Sequence, residues 1–155
     1  MVKTVAEVKA ALNHVNDRCR LGILVETREA TAIAADLAAL PLSRVYVGLN
    51  DLAISRGTAS IFTPLIDGLL EEVRSCFRQP FGFAGATLPD RGSPIPCRLL
   101  INEMARLKTD FTFLRRSFYR DLRHQPFAES VRSIQNGVQQ TFQNQSKTLQ
   151  HHHKT

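Results

Sequence analysis

Residues 21–55 read LGILVETREATAIAADLAALPLSRVYVGLNDLAIS, and this stretch decides the fold. The apolar run 21–25 ends in Glu26. An alanine-rich segment, 28–40, follows at helical composition and is stopped by Pro41. A second apolar run, 45–48, ends in Asn50 and Asp51. Continuous apolar runs of this length suit strands buried on both faces, as in a parallel sheet. The order strand, helix, strand places an acidic residue just past the end of each strand. In a parallel α/β sheet both strand ends open on one rim, where such folds place their sites.

Neighbouring parallel strands lie about 5 Å apart, so carboxylates at equivalent positions can approach one small cation. Hard oxygen ligands suit Mg2+ or Mn2+, and Mg2+ commonly takes one or two carboxylates together with waters and a substrate oxygen. The competing reading is structural: Glu26 caps the following helix and Asp51 stabilises a turn. Spacing alone leaves both readings open.

The residues carrying the two acids add a resemblance. VETREA at 25–30 and RVYVGLNDLAIS at 44–55 resemble the family of 4-hydroxy-2-oxo-heptanedioate aldolases and citrate lyase beta subunits, within the phosphoenolpyruvate/pyruvate superfamily of (β/α)8 barrels. Members of that family carry a Glu–Ser/Thr step after strand five and a Gly–x–Asn/Ala–Asp–Leu step after strand six. The resemblance implies that Glu26 and Asp51 bind a divalent metal, Mg2+ or Mn2+. It also implies that the metal holds a pyruvate enolate, a 2-oxo acid or a CoA thioester, and that the chemistry is carbon–carbon bond cleavage or formation.

Outward from this centre, the alternation continues. Thr4 and Glu7 form a capping-box signature, and Val5, Val8, Leu12 and Val15 recur at helical spacing, predicting a helix over 4–16. Thr63 and Pro64 suit a helix start, with an apolar stripe to Phe77 and a stop at Pro80. A third strand is expected at 81–84 and a long Gly- and Pro-rich loop at 85–96. A helix follows from about 96 to 107, then a fourth strand at 111–114. Arg115 and Arg116 come directly after it and are the candidates to grip a substrate carboxylate in two-pronged fashion. The structural alternative is an ion pair from this strand end to Asp121 or Glu103. A last amphipathic helix is expected over 127–141, and the polar tail 144–155, with its histidine run, reads as disordered. The expected fold class is therefore α/β: parallel βα units with right-handed crossovers, forming about half of a (β/α)8 TIM barrel. An N-terminal and a C-terminal helix flank it, and residues 1–143 form one partial barrel domain.

The 155 residues suffice for one domain but not for a whole barrel of about 250. The resemblance covers roughly 4–121, the second half of such a barrel, and strands one to four have no counterpart. Three cysteines without paired spacing read as free thiols in a cytoplasmic protein. No apolar run approaches the ~20 residues of a membrane span. The net charge of +6 raises nucleic-acid binding. The dense basic stretch 114–123 argues against it as a function, because it sits where a strand ends rather than on one exposed helix face. A homo-oligomer or a complementing half barrel would cover the exposed edges and apolar surface of a four-stranded piece. Two further functions compete with the lyase. One is a non-catalytic half-barrel binding or assembly module, or a truncated remnant. The other is phosphotransfer on phosphoenolpyruvate, which ranks lower because FGFAGAT at 81–87 lacks the Cys-Gly-Glu step of those barrels.

Overall fold

A computed structural model describes residues 1–152, with side chains described for 1–144. The chain forms two compact units, Met1–Ala84 and Gly85–Thr155.

The first unit is a three-stranded parallel sheet with helices between its strands. Helix α1, Val5–Val15, opens it with the expected capping box: the Thr4 hydroxyl accepts from the Glu7 amide, and the Glu7 carboxylate accepts from the Thr4 amide. Asn16 closes it in the left-handed conformation, φ 41°. Strands β1 (Gly22–Val25), β2 (Arg44–Val47) and β3 (Phe81–Phe83) pair in sequence order, with Val25 opposite Val47 and Val47 opposite Phe83. Ile23, Val25, Val45, Val47, Phe81 and Phe83 alternate on one face, and all are buried. On the other face of β1, Gly22 is exposed and Leu24 is 43% exposed.

The connections differ from a simple reading of the apolar pattern. The expected helix 28–40 is two short helices, α2 (Arg28–Ala32) and α3 (Ala34–Ala38), hinged at Ile33. The Thr31 hydroxyl donates back to the Arg28 carbonyl, a local bond that bends helices. Helix α4, Leu49–Arg56, begins directly after β2 and was not expected. The segment 63–77 is also two helices, α5 (Thr63–Ile66) and α6 (Leu69–Cys76). Gly68 at φ 82° separates them, and Asp67 accepts from the Leu69 amide. Thr63 lies inside α5 rather than capping it, since Phe62 holds the cap position.

The second unit is mostly helical: α7 (Cys97–Arg106), α8 (Phe118–Leu122) and α9 (Phe127–His152), with α7 packed on α9. Its core gathers Ala86, Leu88, Cys97, Ile101, Phe118, Leu122 and Ile134. The expected fourth strand is reduced to one parallel bridge between Ala86 and Leu114, in which the Ala86 amide donates to Phe113 and the Arg115 amide to Ala86. Ala84, at φ 61°, turns the chain at the end of β3, two residues before the bridge. Helix α9 runs past Thr141 because its polar continuation is rich in glutamine and free of proline, both compatible with helix. Residues 153–155 of the expected disordered tail, with the last histidine of the run, lie outside the described residues. Among the described residues no helix is long and apolar enough to cross a membrane.

Candidate functional site

Parallel pairing puts the ends of β1 and β2 on one rim. With Val25 opposite Val47, Glu26 and Gly48 come next along the two strands, and the Gly48 amide donates to the Val25 carbonyl at 3.1 Å. Glu26 is half-buried, and its side chain lies against Gly48. A methyl group built on Gly48 would stand 2.8 Å from the Glu26 Oε2 and 3.2 Å from its Cβ. Glycine here is a matter of space, because its φ of −85° is open to any residue. Asp51 follows in the first turn of α4 and is exposed. The start of a helix is a position where the dipole favours negative charge, so the structural reading of Asp51 stays physically sound. Neither carboxylate has a hydrogen-bond or ion-pair partner among the described residues.

Thr27 secures the segment that carries Glu26. It is buried, accepts from the Ala30 amide at 3.1 Å as the N-cap of α2, and donates to the Val2 carbonyl at 2.8 Å. Glu26 is thus not the cap of α2; the hydroxyl beside it is. The Arg28 amide donates to the Ser55 hydroxyl at 2.9 Å, tying the start of α2 to α4. Glu26 also lines a cavity of about 430 Å³ along the free edge of β1, with Val8, Ala11 and Leu24. Carboxylate oxygens are hard donors of the kind that Mg2+ or Mn2+ takes. Among the described residues no group of three or more His, Cys, Asp or Glu could hold a metal.

The arginine candidates lie in the second unit. Arg115 is half-buried and donates from Nε to the Gly85 carbonyl at 3.1 Å. Arg116 is exposed and has no ion pair among the described residues. Neither makes the ion pairs expected as their structural alternative. Glu103 pairs instead with Arg106 at 2.7 Å, and Asp121 accepts from the hydroxyls of Thr87 at 2.5 Å and Ser117 at 3.2 Å. Thr87 is fully buried, and its amide donates to the Cys97 sulfur at 3.3 Å. Burial pushes the Cys97 thiol above its ordinary value, although the Thr87 amide and Arg115 pull the other way. That is the opposite of what a nucleophilic cysteine needs, and Cys97 belongs to the core. A cavity of about 700 Å³ in this unit lies between 109–114 and α9, lined by Phe111, Leu114, Ile134 and Val138 but by neither arginine.

Sequence reasoning missed the role of Gly48, which needed the strand register, and the helix α4 that carries Asp51. The signal for α4 was present: Leu49, Leu52 and Ala53 at helical spacing, all buried, ahead of a left-handed Gly57 at φ 67°. No protein-family model and no curated protein matches the chain.

Proposed function

We propose that this chain is part of a metal-dependent carbon–carbon lyase acting on a 2-oxo acid or acyl-CoA thioester, with Glu26 and Asp51 as the metal-binding pair. The observation that carries the reading is the rim of the parallel sheet. Glu26 directly after β1 lies against a glycine directly after β2, Asp51 follows in the next turn, and neither acid has a partner among the described residues. A divalent ion held there would supply Lewis acidity to an enolate oxygen. The chain's own residues do the positioning. Gly48 leaves space for the Glu26 carboxylate, and Thr27 locks the turn that bears it.

The finer fold belongs to the same proposal: half of a (β/α)8 barrel, completed by a second copy or a complementing half. Its support is the asymmetry of β1, whose Ile23 and Val25 are buried while Gly22 and Leu24 on the opposite face are exposed, and which has an open edge. A cytoplasmic location fits the three free cysteines.

Calorimetric titration with Mg2+ and Mn2+ tests the metal pair. Wild type is expected to give a saturable heat that Glu26→Ala and Asp51→Ala each abolish. No heat with wild type would remove the lyase reading and leave the inert half-barrel module. Sedimentation of the same samples reads the expected oligomer.

A further inference from the structure

The basic balance of the chain is not evenly shared. Residues 1–84 hold nine Lys or Arg and nine Asp or Glu, and residues 85–155 hold eleven and five, so the whole net charge of +6 lies in the second unit. The densest part is 115–123. There α8 buries Phe118 and Leu122, four residues apart on one side. That spacing turns Tyr119 and Arg120 outward, Arg116 and Arg123 flank the helix, and all four are exposed. None of the three arginines has an ion pair or a side-chain hydrogen bond among the described residues. The one acid of the stretch, Asp121, already accepts from Thr87 and Ser117.

An aromatic platform lies among these arginines. Tyr119 is 72% exposed and stacks on Phe127, 48% exposed, with ring centroids 6.1 Å apart and planes at 28°. The fully buried Phe118 meets Phe127 edge-on at 5.7 Å, which anchors the pair to the core. Charge alone would attract any polyanion, but exposed rings on the same stretch as these arginines also offer stacking, which a nucleobase can use. The strand-end objection to such binding applies only to Arg115, whose amide joins the Ala86 bridge. Of the other three, Arg120 lies on α8, Arg116 in the turn before it and Arg123 at its C-cap.

The geometry points to this face as a binding surface for single-stranded nucleic acid, with the arginines meeting phosphates and the Tyr119–Phe127 pair meeting a base. It stands independently of the lyase reading. Fluorescence anisotropy of the full chain with a labelled mixed-sequence single strand of roughly 12 nucleotides tests it. Saturable binding is expected at low salt, tighter than for a duplex of the same length or a polyglutamate peptide. Tyr119→Ala should weaken it about tenfold, while Tyr119→Phe keeps it. Arg120→Ala with Arg123→Ala should flatten the log–log salt dependence by roughly 1 to 2. Circular dichroism of each variant is expected to match wild type, since the altered side chains are exposed. Absence of binding at low salt overturns the proposal. So does equal binding of polyglutamate, which would mark an acidic protein as the partner, or indifference to Tyr119→Ala, which would leave only charge adhesion.

Discussion

The side chain of Glu26 occupies the space that a Cβ on Gly48 would need: the built methyl lies 2.8 Å from Oε2 and 3.2 Å from the Glu26 Cβ. The carboxylate tip could swing away, but the Glu26 Cβ is fixed by the end of β1. Gly48→Ala is therefore expected to displace the carboxylate and to cost about 1–3 kcal/mol as overpacking. Its Mn2+ titration should resemble that of Glu26→Ala. A variant that binds Mn2+ like wild type would show that the rim glycine has no part in placing the acid.

Thr27 makes two hydrogen bonds through one hydroxyl, accepting from Ala30 and donating to Val2. Thr27→Val keeps the volume and removes both, leaving a buried amide and a part-buried carbonyl without that partner. The expected loss is about 1–2 kcal/mol, read as a lower urea midpoint with unchanged slope. Serine at the same position should recover most of it.

The Arg56–Asp67 pair, 2.6 Å apart, gives the first unit a pH dependence. Burial works to raise the Asp67 carboxyl, but hydrogen bonds from Arg56 and from the Leu69 amide outweigh it and hold the group below its ordinary value. A depressed folded value means stability that is present above the unfolded value near ~4 and fades as pH falls through the folded one. The side chains are 22% and 32% exposed, so the effect should stay below about 1 kcal/mol. Urea unfolding of wild type and Asp67→Asn from pH 7 to pH 3 should show a gap that narrows only below about pH 4. A gap unchanged at acid pH would deny the pair this role.

The three cysteines differ in reach: Cys19 is exposed, Cys76 intermediate and Cys97 buried. A thiol-reactive dye should label Cys19 at the rate of a free thiol and Cys76 more slowly. Cys97 should react only as the unit opens, at a rate that rises with denaturant. Prompt labelling of Cys97 in native buffer would contradict its place in the core.

Leu70 is fully buried on α6, in the core of the first unit. Leu70→Ala is expected to destabilise by about 2–5 kcal/mol, since the transfer and cavity terms add. Thermal unfolding followed by circular dichroism reads the loss.

What the amino-acid sequence determined by itself was local or continuous in the chain. Thr4 and Glu7 define the start of α1 through bonds three residues apart. Uninterrupted apolar runs mark β1, β2 and β3, although on the second face of β1 Gly22 and Leu24 are exposed. Glu26 was legible as the residue at the end of β1. Tertiary structure alone decided the rest. Apolar spacing does not reveal the breaks at Ile33 and Gly68, since it continues across them. The fourth strand shrank to one bridge because its partner, Ala86, stands just beyond a turn at Ala84. Arg115 met the Gly85 carbonyl and Asp121 met two hydroxyls, instead of a guanidinium meeting a carboxylate. The contact between Glu26 and Gly48 joins residues 22 positions apart and exists only once the strands are in register. A one-dimensional pattern carries the period of a helix or strand; which side chains then share a space depends on register and turns, set by packing between distant segments.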